Sequence, residues 1–346
     1  MATWRDVMLP GSKHPWHFFS QATGVSVLHL ANSGGAAERR QELLAGLLTE
    51  PACLPPKYFY DAQGCALYQA ICQLEEYYPV RCEAALFQRY RAEIAAALPR
   101  RAQWVDLGCG DGGKSWPWLE VAGVARYVGV DIAETWLQQA LAEGRRRFPG
   151  LDCLGIVTDF TRPLDLGAVK AASRKHPPVF FYPGSSIGNF NPVDALHFLQ
   201  SLQAHLGEAG SLLISVDGQQ DADRLEAAYD DRLGVTAAFN RNMLRVVNRE
   251  LGADFRPEAF RHRAWFNPDE SRVEMALVAT ETHSVRLGQQ RRRFVAGEAI
   301  VTEHSCKFSR AGFQALLEVA GFGNIRHWQE PGEDYHVFLA QRRPLS

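Results

Sequence analysis

Between residues 103 and 217 the chain repeats one rhythm, a short apolar run followed by a stretch of helical spacing. The runs are WVDL (104–107), YVGVD (127–131), LGIVTD (154–159), VFFY (179–182) and SLLISVD (211–217), with helices expected over about 133–147 and 193–206. Near-continuous apolar runs suit strands covered on both faces, and a helix between successive strands lets them lie parallel. The rhythm therefore predicts an α/β fold with a mostly parallel sheet.

The flanking segments read differently. Residues 36–50 carry Leu43, Leu44, Leu47 and Leu48 as a helical stripe, which Pro51, Pro55 and Pro56 then stop. Further helices are expected over about 64–75 and 81–98, and residues 220–252 read as helical. Residues 260–305 alternate in long runs such as RVEMALVATE (272–281), which is antiparallel β texture. A helix at about 309–320, with Gly321 after it, and two terminal strands restore the α/β pattern. The expected organisation is one α/β domain over 82–218 and 308–346. A second, α+β domain is expected from the N-terminus (1–81) plus an insertion (219–307).

Charge and composition exclude several functions. With 37 Lys+Arg against 39 Asp+Glu the net charge is −2, which lacks the basic footprint of a duplex-binding protein. No stretch approaches the ~20 apolar residues of a membrane span, and Met1 to Ser20 holds no apolar signal core, so a cytoplasmic location is expected. The seven Cys form no C-x-x-C pair, and no metal site is expected; His14 and His17 read as incidental. The basic runs 145–147 and 291–293 read as solvated faces, and a monomer is the default.

The first chemical signal is DLGCGDGGK (106–114), directly after a predicted strand, with Asp131 ending the next one. Glycines there let the backbone approach a ligand, the following helix start favours electronegative groups, and Asp131 is placed to accept ribose hydroxyls. Gly108, Gly110 and Gly113 fit the dinucleotide fingerprint, and the same residues fit the D/E-x-G-x-G loop of S-adenosylmethionine (SAM) methyltransferases. Three observations favour SAM over NAD(P). Asp106 would repel a pyrophosphate but suits an ammonium. Asp159-Phe160 follows the third strand, where similar methyltransferases hold adenine. No Cys, His or Tyr is placed for hydride chemistry.

After the fourth strand the segment reads FYPGSSIGNF (181–190), without the N-P-P-Y signature of many nucleobase amine methyltransferases. That absence argues against DNA or RNA as substrate. Asn189 lies at the carboxyl ends of the strands, offering a donor and an acceptor to a ligand, or else serving as a turn or N-cap residue.

Taken together, LPPKYFYDAQGCALY (54–68), QLEEYYPVR (73–81), PGSSIGNF (183–190), AAYDDRLGVTAAFNRNMLRVVNRELGADF (227–255), RVEM (272–275) and TEHSCKF (302–308) resemble the histidine Nα-methyltransferases of ergothioneine biosynthesis. The resemblance runs from about residue 40 to the C-terminus. It implies a Rossmann-like class I SAM methyltransferase domain with a second, substrate-binding domain. The implied activity places three methyls on the α-amine of free L-histidine, giving hercynine. By resemblance, SAM rests on Gly108, Lys114, Asp131, Asp159 and Phe160. Histidine rests on Tyr77, Asn189, Tyr229, Glu303 and Ser305, with Tyr60 and Tyr68 lining the pocket as the catalytic pair and water near Tyr60 carrying released protons.

Those residue types suit the substrate. An imidazole has two ring nitrogens, and Glu303 and Ser305, two apart on a strand, point to the same side to meet them. Indole has one N–H, so the pair disfavours the rival reading of a tryptophan-type amine. Aromatic rings of Tyr60, Tyr68 and Tyr77 favour a growing cationic ammonium. The chain departs from many relatives in its glycine loop, where they read E-L-G-S-G-T-x-x-K, and at Pro183, where they carry leucine. The first 35 residues match nothing in the family.

Overall fold

The computed structural model describes residues 16–19, 26–30, 35–159, 162, 164, 166–173 and 175–343. In chain order the elements are β1 (Trp16–Phe19), β2 (Ser26–Leu30), α1 (Ala36–Leu47), β3 (Ala52–Cys53), α2 (Ala62–Ile71) and α3 (Tyr78–Ala97). Then come β4 (Gln103–Leu107), α4 (Trp116–Val121), β5 (Arg126–Asp131), α5 (Glu134–Arg147), β6 (Asp152–Val157), α6 (Gly167–Ala172), β7 (Pro178–Tyr182), α7 (Pro192–His205) and β8 (Ser211–Asp217). They are followed by α8 (Ala222–Tyr229), α9 (Val235–Leu251), β9 (Phe260–Asn267), β10 (Arg272–Ala279), β11 (His283–Leu287), β12 (Gln290–Phe294) and β13 (Ala299–Cys306). The chain closes with α10 (Arg310–Val319), β14 (Phe322–Gln329) and β15 (Tyr335–Arg342).

The main sheet runs β1-β2-β6-β5-β4-β7-β8-β15-β14. Strands β2, β6, β5, β4, β7 and β8 are mutually parallel, while β15 enters antiparallel between β8 and β14. This is the Rossmann-like methyltransferase arrangement. Chain order reverses at β4, whose neighbours are β5 and β7, so the crevice for ligands opens at its carboxyl end.

Alternation along each strand feeds two cores. Trp104, Tyr127, Phe181 and Leu213 face one cluster with Leu86, Phe87 and Ile94 of α3. Their chain neighbours Val105, Val128, Phe180 and Leu212 face another with Phe198, Leu199 and Leu202 of α7. Burial on both faces explains why these strands read as continuous apolar runs.

A second sheet, β3-β13-β10-β9, is antiparallel except for the two-residue β3. Helix α9 covers it, and Phe239 of α9 stacks on Phe59 with ring centroids 4.4 Å apart. The first core cluster continues into this module without a break, through Met243, Val247, Phe260 and Leu277.

Three expectations need correction. The grouping of residues 1–81 with the second module does not hold for its first part, because β2 pairs with β6 and extends the main sheet. Residues 220–252 are two helices. The Asp231 carboxylate accepts from the N–H groups of Val235 and Thr236 at 3.0 and 2.7 Å and starts α9 anew. Leu48 lies past the end of α1 and is 44% exposed, whereas Leu43 and Leu47 are fully buried.

Candidate active site

The glycine loop leaves β4 and turns at Gly108 and Gly110, with φ of 70° and 50°. A side chain on Gly110 would meet no atom within 4 Å, so the loop borders open space at the carboxyl end of the sheet. Asp131 braces it. One carboxylate oxygen accepts from Gly110 N at 2.8 Å and the other from Ala133 N at 2.9 Å. Burial raises the Asp131 pKa, and these backbone N–H groups oppose the rise. Each oxygen keeps a second lone pair for a hydroxyl. Asp159 sits at the end of β6, and its carboxylate takes Lys57 Nζ at 2.7 Å. Loop, Asp131 and Asp159 thus lie along three adjacent strand ends, and this donor set fits SAM. Phe160 lies outside the described residues.

Asp106 departs from its expected role toward an ammonium. It is buried, and one oxygen accepts from Ser115 Oγ at 2.7 Å and Tyr127 OH at 3.0 Å. Burial pushes its pKa up to about 7. It ties the loop to β5 from beneath.

Seven of the expected residues line one pocket: Tyr60, Tyr68, Tyr77, Asn189, Tyr229, Glu303 and Ser305. They arrive from six separate stretches of chain, with Glu303 and Ser305 sharing β13. Tyr60 ends a 3₁₀ turn (Pro56–Phe59), Tyr68 lies on α2, and Tyr77 immediately precedes α3. The three rings meet edge-on, 5.8 Å apart for Tyr60 with Tyr68 and 6.5 Å for Tyr68 with Tyr77. Burial holds these phenols well above their ordinary pKa, so they act as neutral groups. Asn189 ends a second 3₁₀ turn (Ser186–Asn189), and helix α7 is capped by Asn191 instead. That turn approaches the second sheet so closely that a Cβ on Gly188 would lie 2.8 Å from Cys306 O.

Glu303 and Ser305 project from β13 beside Met275 of β10. The Glu303 carboxylate makes no hydrogen bond with any described residue. Burial raises its pKa to about 7 against the opposing charge of Lys307. The Ser305 and Tyr229 hydroxyls are 2.7 Å apart.

Sequence reasoning missed the groups behind this pocket. Lys307, fully buried, pairs with Asp217 at 2.9 Å and donates to Tyr229 OH and Ser305 Oγ, both at 3.0 Å. Tyr78 OH donates to the same Asp217 oxygen at 2.7 Å. Glu83 of α3 accepts from Gly184 N and Lys114 Nζ, both at 2.6 Å, and from Tyr335 OH at 3.1 Å and Ser215 Oγ. Burial pushes the Glu83 pKa up, but the Lys114 charge and these hydrogen bonds outweigh it and hold the carboxyl below its ordinary range. Lys307 follows the quoted Glu303-to-Ser305 motif by two residues, and Asp217 ends a predicted strand, so each had a positional signal. Glu83 had none, since its helical position reads like any other.

No described helix is long and apolar enough to cross a membrane, and no cluster of metal-ligating side chains occurs among the described residues. Residues 39–342 match the family of histidine-specific, SAM-dependent methyltransferases. The histidine N-alpha-methyltransferase of Mycolicibacterium smegmatis is 39% identical over 320 residues, covering 91% of this chain and 98% of that protein. The protein of the same name from Mycobacterium tuberculosis is 37% identical over the same shares. Ergothioneine biosynthesis protein 1 of Neurospora crassa is 28% identical over 86% of this chain and 34% of its own length. A family match across nearly the whole chain, on a methyltransferase sheet with the glycine loop and strand-end acids in place, makes the chain a member of the histidine-specific, SAM-dependent methyltransferases.

Proposed function

We propose that the chain uses SAM to place three methyl groups on the α-amine of free L-histidine, giving hercynine, the first step of ergothioneine biosynthesis. One observation carries the reading. A carboxylate with no hydrogen-bond partner among the described residues, that of Glu303, shares a pocket wall with a hydroxyl pair, Ser305 and Tyr229, and this wall suits a ring with two polar nitrogens.

SAM supplies an electrophilic methyl group, held by the glycine loop at Gly108, by Asp131 and Asp159 through ribose and adenine, and near Lys114. In this reading Glu303 and Ser305 grip the imidazole, while Tyr77, Asn189 and Tyr229 direct neutral donors at the substrate carboxylate. Much of a free α-amine is protonated near neutral pH, and only the neutral form has a lone pair to react. The chain's contribution is chiefly alignment of that nitrogen. Tyr60 and Tyr68 face it with aromatic edges and phenols too basic to ionise, and water at Tyr60 takes the released proton. Residues 36–81 and 219–307 form the substrate module in this reading.

The test is mass spectrometry of the purified chain with SAM and L-histidine, with L-tryptophan in parallel. A gain of three methyls on histidine alone is expected; methylation of tryptophan alone, or of neither, would overturn the proposal.

A further inference from the structure

We infer that Lys307 is a positioning residue that holds both oxygens of the Tyr229–Ser305 hydroxyl pair as acceptors, so that the pair offers the substrate one donor and one acceptor side by side. The inference rests on reading this pocket as the histidine site.

The argument is a count of protons. An ammonium has three donors and no acceptor. Lys307 places them on Asp217 Oδ2 at 2.9 Å, Tyr229 OH at 3.0 Å and Ser305 Oγ at 3.0 Å. Both hydroxyl oxygens must therefore accept from Lys307. They also bond each other at 2.7 Å, so one hydroxyl proton lies between them. The hydroxyl that accepts twice has its lone pairs filled and turns only its proton to the pocket. The one that donates to its neighbour turns only a lone pair.

With Tyr229 as donor to a carboxylate, Ser305 becomes the acceptor for a ring N–H, and Glu303 meets the other ring nitrogen. Such a wall demands two ring nitrogens, which indole lacks. Nothing lets Lys307 leave this post. Its side chain is 0% exposed, its partner Asp217 is held by Tyr78 OH at 2.7 Å, and Asp217 N donates to Ser185 Oγ at 2.8 Å.

The experiment uses the full chain and two variants, Lys307→Met and the doubly neutral Lys307→Met with Asp217→Asn. The second avoids an unpaired buried carboxylate, which can unfold the single variant. Each is assayed for hercynine formation with L-histidine and SAM across pH. In the folded variants KM for histidine is expected to rise about tenfold or more, with KM for SAM changed less than about twofold. The acid limb of kcat/KM should also move to higher pH. Glu303 faces Lys307, Tyr229, Tyr77 and Tyr60, and Lys307 is the cation among them. A folded variant with an unchanged KM for histidine and an unmoved acid limb would make Lys307 a packing residue and overturn the inference. A wild-type chain that leaves histidine unmethylated would instead overturn the parent reading.

Discussion

Replacing Glu303 with glutamine keeps the shape of the side chain and removes its charge, which isolates what the carboxylate does. In the wild type, burial raises the Glu303 pKa to about 7. The sign follows directly. The ionised fraction, which accepts a ring N–H, rises with pH through about 7, so kcat/KM for histidine rises over that interval. Stability runs the other way: the fold favours the protonated acid, and its contribution declines between the ordinary carboxylate range and about pH 7. A hydrogen bond to a charged partner contributes about 1.5–3 kcal/mol, so Glu303→Gln should lower kcat/KM for histidine about tenfold to a hundredfold at pH 8. At pH 6 the wild-type carboxylate is mostly protonated, and the wild-type-to-variant ratio should shrink by about tenfold. Ionisation of the substrate cancels in that ratio, because both proteins see the same histidine. The assay is initial rates of methylated product by mass spectrometry at pH 6, 7 and 8. A ratio that stays flat with pH, or a loss below about threefold at pH 8, would refute the assignment of Glu303 to the imidazole.

Asp131→Ala should weaken SAM binding about tenfold or more by calorimetry, since it removes both the hydroxyl acceptor and the brace on Gly110 N and Ala133 N. Gly188→Ala puts a methyl 2.8 Å from Cys306 O and should cost about 1–3 kcal/mol in thermal unfolding, lowering kcat/KM for histidine more than affinity for SAM. Glu83→Ala removes the buried acceptor shared by Lys114, Gly184 N–H, Tyr335 OH and Ser215 OH; Gly184 N–H and Tyr335 OH keep Ser215 Oγ and Lys114 stays solvent-accessible, so a loss of about 1–3 kcal/mol in denaturant unfolding is expected.

The central strands β4 to β8 were legible because each is buried on both faces and flanked by turn residues, which leaves a short apolar run in the sequence. Strand β8 was read to the residue, and β4, β5 and β7 to within one or two. The N-terminal strands were not legible, because their place depends on a parallel partner more than a hundred residues away: Val27 pairs with Gly155. The break between α8 and α9 was missed for a local reason. Asp231 looks like an exposed helical acid in sequence, yet its carboxylate caps two backbone N–H groups. The pocket residues were legible through family resemblance, since no spacing rule brings Tyr60, Asn189 and Glu303 together. What sits behind them escaped because a buried Lys or Glu is visible only once its partners are placed.

Buried charges also join the second sheet to the main one. Lys307 follows β13 of the module and pairs with Asp217 at the end of β8. Lys57, in the turn that leads to Tyr60, pairs with Asp159 at the end of β6. Glu83 of α3 acts within the main-sheet unit, binding Lys114 of the glycine loop and Gly184 after β7 together. Each is a cation–carboxylate contact at the carboxyl end of a parallel strand, where the cofactor crevice and the pocket meet. Removing one member of a buried pair such as Lys307–Asp217 leaves a charge without its partner and is strongly destabilising. Among the pocket groups, Tyr229 and Ser305 share in this network through Lys307. The Glu303 carboxylate bonds no described residue, and Tyr60, Tyr68 and Tyr77 touch one another chiefly through ring edges. In the proposed reading, selectivity for the amine is open to change at Glu303 with no internal hydrogen bond of its carboxylate lost, whereas changes at Lys307, Asp217 or Glu83 would alter site and fold together.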